Sequence, residues 1–146
     1  MKIFAFCLSV LLMAVSQQAF SRDSKHMLPI KEAMASADFK SALDPDIRFY
    51  FGSQKHSRVL KNFGDFNTNK KTNAFNKSDE EACRWVFLSA LLSLQDRVKA
   101  EGGNAVINIA SYYKKNKVSD NSQFECHAGA LIAGVALTGD VVKLAK

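Results

Sequence analysis

The chain has 146 residues, a length that predicts a single domain. Its net charge of +6 favours anionic partners such as acidic lipid head groups, cell-wall polymers or nucleic acid. The basic residues are dispersed along the chain rather than gathered in one run, which argues against nucleic acid.

The N-terminal residues 1–21 have the features of a secretory signal peptide. Lys2 provides a positive start, and an apolar run over residues 3–15 follows it. This run is shorter than the roughly 20 residues that cross a bilayer as a helix. Ala19 and Ser21 are small residues at the positions that signal peptidase requires. We therefore expect cleavage after Ser21, no transmembrane segment in the mature protein, and a periplasmic or secreted location.

The three cysteines separate into two groups at this cleavage site. Cys7 lies inside the apolar run, too early to be the acceptor cysteine of a lipoprotein, whereas Cys83 and Cys126 are retained. Two cysteines in an oxidising compartment are most simply a disulfide, which contributes roughly 4 kcal/mol for a loop of this size. The alternative is a metal pair with His127 as third ligand. Neighbouring strand residues point to opposite faces, and no CxxC motif is present, so we favour the disulfide.

The first elements of the mature chain are predicted to be an arm and two strands. Residues 22–46 favour a loosely attached arm or a short helix. Alternating residues in "DIRFYFG", 46–52, predict a half-buried strand. A second strand starts near Val59 with a bend or bulge at Gly64, and the polar segment "NTNKKTNAFNK", 67–77, predicts a loop.

The clearest helix is predicted over roughly 79–101. Ser78 suits the N-cap position, and Glu81 three residues later completes a capping box. The apolar positions form a stripe wide enough to cover a sheet, and Trp85 in that stripe is expected in the core. Gly102 follows the helix where a left-handed residue is needed.

The glycines of "EGGNAVINI" mark a corner rather than a phosphate-binding loop. Phosphate-binding loops run from a strand through glycines to a helix N-terminus, and here the order is reversed. No GxxxxGK[ST] or GxGxxG motif is present, so we expect no nucleotide. The strand "AVINI" follows the corner, and residues 114–122 predict a polar hairpin loop. Residues 123–144 then predict one long strand bent at Gly134, or two strands.

These elements predict an α+β domain over residues 47–146. One long helix packs on an antiparallel sheet of about four strands, in the order β-β-α-β-β, with one disulfide. The residues expected to be buried are Phe49, Phe51, Val59, Trp85, Val86, Leu88, Leu92, Ile107, Ile109, Leu131, Val135 and Leu137.

Three motifs carry a resemblance to a known family. "EEACRWVF", "GGNAVINI" and "QFECHAGALIAGVAL" are similar in order to the secreted domain of the outer-membrane sensor lipoprotein of the Rcs envelope-stress pathway. The turn from helix to strand also resembles that of the small YbjQ-like heavy-metal-binding domains. The resemblance covers residues 57–144, and the sensor's disulfide positions match Cys83 and Cys126. The sensor's second disulfide, lipobox and proline-rich linker have no counterpart here.

The segments "KEAMA", "RFYFG" and "NKKTNAFNKSDEEAC" also resemble a group of short exported bacterial proteins, some of them labelled excinuclease ATPase subunits. An ATPase needs a P-loop, and this chain has none, so we do not expect that activity. The resemblance therefore implies an exported protein and no particular chemistry.

The function predicted from these features is a non-enzymatic binding or interaction module of the bacterial envelope, with its ligand unidentified. No GxSxG motif is present, and a disulfide leaves no free thiol, so we expect neither catalytic residues nor a cofactor. A metal-binding or metal-responsive protein is the alternative, by analogy with the YbjQ-like domains, with His56, His127 and nearby carboxylates as candidate ligands.

The candidate contacts for an anionic envelope polymer or an envelope protein lie in two basic loops that have aromatic neighbours. They are Lys70, Lys71, Lys114, Lys115, Tyr112 and Tyr113. For the tyrosines, the alternative is packing on the second face of the sheet.

Overall fold

The structure, a computed structural model, describes residues 22–146. The predicted signal peptide, its cleavage site and Cys7 lie outside the described residues. Over the range 22–146, no helix combines the length and apolar character needed to cross a membrane.

The described chain forms six strands, three α-helices and one short 3₁₀ turn. The strands are β1 (Ser24–Pro29), β2 (Arg48–Phe51), β3 (Val59–Asn73), β4 (Ala105–Ser111), β5 (Gln123–Ala128) and β6 (Ile132–Leu144). The helices are α1 (Ile30–Ala35), α2 (Ala37–Ala42) and α3 (Asp79–Glu101), and the 3₁₀ turn is Tyr113–Lys115.

All six strands belong to one sheet that is organised around β6. The strand order is β1-β5-β6-β4-β2, and β3 also pairs with β6. Because β6 has 13 residues, β5 and β4 pair with different parts of its length. His127 and Ala128 of β5 lie opposite Gly134 and Ala133, whereas β4 lies opposite residues 137–142. The pairing of β3 extends along the whole of β6.

The predicted sheet of about four antiparallel strands in the order β-β-α-β-β is wrong in three respects. The sheet has six strands, β1 precedes all the predicted ones, and β2 pairs with β4 in parallel. The parallel pair arises because β3 and α3 intervene between β2 and β4, which allows a crossover connection. Of the two alternatives for 123–144, the structure has two strands, separated at residues 129–131, and Gly134 lies within β6.

Two predicted loops also differ from the structure. The predicted loop at 67–77 is strand as far as Asn73, because β3 continues to pair with β6 up to the pair Asn73–Ile132. The segment 114–122 is not a hairpin loop, since β4 and β5 are not neighbours in the sheet. The predicted irregularity at Gly64 is confirmed by a register shift between Asn62 and Gly64 and by a φ of 105° at Gly64.

Helix α3 begins and ends where its sequence signals predict. The Ser78 hydroxyl accepts a hydrogen bond from the Glu81 backbone N–H at 3.1 Å. Gly102 has a φ of 79°, in the left-handed region that glycine adopts without steric cost. The local signals at both ends of α3 are therefore confirmed.

The core joins residues of α3 with residues of the strands. Phe87 of α3 is fully buried and stacks on Phe124 of β5, with ring centroids 3.9 Å apart. Phe39 of α2 and Phe51 of β2 contact the same ring at 5.7 and 5.9 Å. Four aromatic rings from four different elements thus meet around Phe87.

Several residues predicted to be buried are exposed or only half-buried. Trp85 is 56% exposed, because it lies two residues from Phe87 and therefore about 200° around the helix. Leu131 is 62% exposed in the turn between β5 and β6. The half-buried ones are Phe49, Val59 and Leu92; the other predicted core residues are buried.

The predicted disulfide is confirmed. Cys83 in the first turns of α3 is bonded to Cys126 of β5, with a Cα–Cα distance of 5.7 Å and a sequence separation of 43. Both cysteines are fully buried. The bond therefore joins the helix to the sheet inside the core.

Candidate functional site

A groove on the sheet surface brings together several of the polar residues that the sequence singled out. Its volume is about 680 Å³. It is lined by Arg22, Asp23, Asn69, Lys71, Tyr113, Lys114, His127, Gly134 and the turn 129–132. We call it the His127 groove.

The alternation of side chains along β5 places His127 on this face. Phe124 and Cys126 contact α3, through the aromatic stack and the disulfide. Because successive strand residues point to opposite faces, Glu125 and His127 point away from α3. The His127 groove therefore lies on the face of β5 that is opposite to the helix.

A chain of hydrogen bonds runs beneath the groove. Buried Glu125 accepts a hydrogen bond from the Ser111 hydroxyl, and its other oxygen lies 2.8 Å from His127 Nε2. His127 Nδ1 lies 3.3 Å from an Asp23 oxygen, and the second Asp23 oxygen accepts from the Tyr113 hydroxyl at 2.7 Å. Five side chains are thus linked from the end of β4 to the residue before β1.

The rings of Tyr113 and His127 stack on each other. Their centroids are 3.4 Å apart and their planes differ by 10°. Since the Tyr113 hydroxyl is also bound to Asp23, the tyrosine ring is held at both its face and its tip. The pair provides a rigid aromatic surface at the wall of the groove.

The carboxylates of the network are shifted towards their ionised forms. The hydrogen bond from Tyr113 lowers the pKa of Asp23, and the same bond raises the pKa of Tyr113. Burial alone would raise the pKa of Glu125. Hydrogen bonds from Ser111 and His127 oppose the effect of burial, and the resulting pKa of Glu125 is lowered. The network therefore favours charged carboxylates next to the imidazole.

Carboxylates lie on both sides of the His127 ring. Both ring nitrogens of His127 face carboxylate oxygens, so neither has a lone pair directed at the groove. The network thus holds the stacked Tyr113 and His127 rings in place.

The turn after β4 carries two lysines in an uncommon backbone conformation, and one of them, Lys114, lines the groove. Lys114 and Lys115 have φ values of 50° and 64°, in the left-handed region that side chains other than glycine rarely adopt. Lys114 lies over the Tyr113 ring, with Nζ 5.3 Å from the centroid. Such residues cluster at ligand-binding sites, where strain is tolerated for function.

The structure brings half of the predicted contact residues into the groove. Lys71, Tyr113 and Lys114 line it, and they come from strand β3 and from the turn after β4. The other predicted residues do not line it: Lys70, Lys115 and Tyr112. For Lys70 the reason is the alternation of β3, which points it to the opposite face from Lys71.

The sequence interpretation missed Arg22, Asp23, Ser111 and Glu125. The signal for Glu125 was present, since a carboxylate two residues before His127 in a strand lies on the same face as the histidine. Arg22 and Asp23 fell in the segment predicted as an arm or short helix, and β1 brings them beside β5. No local pattern identifies them.

A second ionic cluster ties the start of the described chain to α3. Arg22 donates to both oxygens of Asp79 at 2.7 and 2.9 Å, and to the Gly129 carbonyl at 3.0 Å. His26 Nε2 lies 2.9 Å from the same carboxylate. The hydrogen bonds from Arg22 lower the pKa of Asp79. Arg22 is therefore already neutralised, although it lines the groove.

We expect the protein to lose stability in acid. Asp23, Asp79 and Glu125 have pKa values below the ordinary ones, which are about 3.9 for Asp and about 4.3 for Glu. Below these ordinary values the unfolded chain binds more protons than the folded chain, so stability present above about pH 4 is lost as the pH falls. Urea unfolding from about pH 7 to about pH 2.5 measures this.

The Asp79→Asn variant provides the matched comparison for this acid profile. The variant is expected to be less stable than the wild type at neutral pH. Its stability should also fall less steeply on acidification, because it lacks one carboxylate whose pKa is lowered in the folded state. A wild-type profile that is flat or rises below about pH 4 would contradict the prediction.

The metal-binding alternative requires a cluster of metal-ligating side chains. Within 22–146, no group of three or more His, Cys, Asp and Glu side chains is arranged to hold a metal ion. His56 lies apart from His127, in edge contact with Tyr50 at 5.6 Å, and its Nδ1 lies 2.8 Å from the Ser57 carbonyl oxygen.

Comparison of the chain with family models, with curated proteins and with solved structures gives no match.

Proposed function

We propose that the protein is an exported, non-enzymatic binding module of the bacterial envelope. Its His127 groove binds an anionic group of an envelope polymer or of an envelope protein. The proposed location is periplasmic or secreted, and the disulfide is consistent with an oxidising compartment. No nucleotide or cofactor takes part.

The observation that carries the proposal is a pair of lysines without counter-ions beside a rigid aromatic surface. Among residues 22–146, neither Lys71 nor Lys114 has a salt-bridge partner, although both line the groove. The one groove carboxylate, Asp23, is held by Tyr113 and His127. The groove thus offers an anion two ammonium groups without carboxylate partners, one of which lies over the Tyr113 ring.

The proposal includes a division between the two faces of the sheet. Helix α3 covers one face, an arrangement supported by the aromatic stack of Phe87 and Phe124 and by the disulfide. The opposite face of β5 carries Glu125 and His127 and is left for the ligand. The resemblance to the Rcs sensor domain agrees with an exported binding role and is part of the proposal.

The test uses poly(glycerol phosphate) as the probe, because it is a flexible anionic polymer. Calorimetric titration of the purified protein is expected to give saturable binding. In Lys71→Gln/Lys114→Gln, affinity is expected to fall about tenfold or more, since each charged hydrogen bond contributes about 1.5–3 kcal/mol. Raising the salt from about 0.1 M to about 1 M shortens the Debye length from about 10 Å to about 3 Å and weakens binding.

The matched control is Lys31→Gln/Lys40→Gln, which removes the same charge from exposed positions on α1 and α2. Its affinity for the polymer should equal that of the wild type. If both double variants lost the same affinity for the polymer, binding would depend on net charge alone and the His127 groove would not be the binding site. No binding by the wild type at low salt would contradict the proposal itself.

A further inference from the structure

A second groove lies on the helical side of the molecule, away from the His127 groove. It has a volume of about 600 Å³ and runs along the first half of α3, beside α2. Trp85, Leu88 and Phe39 provide its apolar lining, while Asp38, Glu81 and Arg84 are among its polar residues. We call it the Trp85 groove.

Trp85 is the single tryptophan of the chain, and it is 56% exposed in this groove. An exposed indole can bury a large apolar area on contact with a partner, and tryptophan is enriched among residues that dominate binding energy. Leu88, one helical turn further, is buried beneath the same groove. The groove thus has an apolar floor and one accessible aromatic side chain.

The rim of the Trp85 groove presents uncompensated negative charge on a protein that is basic as a whole. Arg84 is engaged by Glu80 at 3.1 Å and by Glu32 at 3.6 Å. For Asp38 and Glu81, both exposed, the described part of the chain holds no salt-bridge partner. Two carboxylates at this rim are therefore without an ion-pair partner.

The second rim cation, Lys77, has no carboxylate partner among the described residues and keeps its charge. The Lys77 ammonium donates to the Asn73 carbonyl at 3.1 Å. The lining has three carboxylates, Asp38, Glu80 and Glu81, against the two cations Lys77 and Arg84, so its net charge is −1. The face of an indole itself also attracts cations. Charge complementarity selects a positively charged ligand with an apolar portion.

From this we infer that the Trp85 groove is a docking site for a cationic, apolar segment of a partner protein. A lysine or arginine of the segment lies against Asp38 and Glu81 or over the Trp85 ring, and a large apolar side chain enters towards Leu88. The inference is independent of the His127 groove, which selects anions. The protein would then join an anionic envelope component to a protein partner.

The probe is a short peptide of leucine and lysine, patterned as an amphipathic helix and lacking tryptophan. Because Trp85 is the only tryptophan, its fluorescence reports the groove directly. Titration of the full chain is expected to shift the emission to shorter wavelength as the indole becomes buried, and the shift should saturate. The same peptide with glutamate in place of lysine should leave the emission unchanged.

Two variants test the residues, with binding followed by the anisotropy of a labelled probe. Trp85→Ala and Asp38→Asn/Glu81→Gln should each lower the affinity for the leucine–lysine peptide about tenfold or more. Asp96→Asn is the control, because it removes an exposed carboxylate from the far half of the same helix. Its affinity should match the wild type.

Three results would overturn the inference. The first is binding of the glutamate peptide as tightly as the leucine–lysine peptide. The second is an affinity of Trp85→Ala for the leucine–lysine peptide that equals that of the wild type. The third is a loss of affinity in Asp96→Asn as large as that in Asp38→Asn/Glu81→Gln. Circular dichroism of each variant checks the fold, and the exposed positions of Asp38, Glu81 and Trp85 make unfolding an unexpected outcome. None of these results bears on anion binding at the His127 groove.

Discussion

Replacing both Cys83 and Cys126 with serine is expected to lower the free energy of unfolding by about 4 kcal/mol. The disulfide closes a loop with a sequence separation of 43, and opening it restores conformational freedom to the unfolded chain. Such a loss is a large fraction of the roughly 5–15 kcal/mol that stabilises a domain. Urea unfolding of the variant and the wild type measures it.

The wild type in the presence of a reductant is the internal control for this prediction. Its melting temperature should fall by roughly 10–20 °C, and the double variant should not respond to the reductant. Mass spectrometry of the protein recovered from its native compartment should find both thiols oxidised to each other. Equal melting temperatures with and without reductant would contradict the prediction.

The Phe87→Ala substitution is expected to cost about 3–5 kcal/mol of stability. Phe87 is fully buried, stacks on Phe124, and contacts Phe39 and Phe51, so its removal leaves a cavity where four elements meet. The cost includes the lost transfer free energy and the cavity that the neighbours do not fill. Chemical unfolding followed by circular dichroism provides the measurement.

Trp85→Ala is the matched control, because it removes a larger aromatic ring from the same helix two residues earlier. Since Trp85 is 56% exposed, its loss should cost less than about 1 kcal/mol. A larger cost for Trp85 than for Phe87 would mean that the helix presents its other side to the sheet. The pair therefore tests the orientation of α3.

The parts of the fold that the sequence predicted are those with local signals. Helix α3 was predicted almost to the residue, because Ser78 and Gly102 mark its ends by their own chemistry. The disulfide followed from counting the cysteines and from the expected compartment. In each case the information lies within a few residues or in composition alone.

The sheet was predicted less well because its pairing depends on distant segments. Strand β1 has no clear alternation and ends at Pro29, and it is a strand because it pairs with β5, about a hundred positions later. The polar end of β3 is a strand because β6 extends alongside it. Neither pairing can be read from a local pattern.

The candidate site was predicted in part for the same reason. Lys71, Tyr113, Lys114 and His127 attract attention in the sequence because of their residue types. Their meeting in one groove depends on β1, which delivers Asp23 to His127. The distinction between Lys70 and Lys71 required the register of β3, since adjacent strand residues face opposite sides.

The most direct test of anion binding at the His127 groove is an NMR titration of the isotope-labelled protein with poly(glycerol phosphate). We predict that the largest chemical-shift changes occur at Lys71, Tyr113, Lys114 and the His127 ring, and that they saturate together. Shifts spread over all surface lysines, or confined to positions outside this groove, would contradict the account.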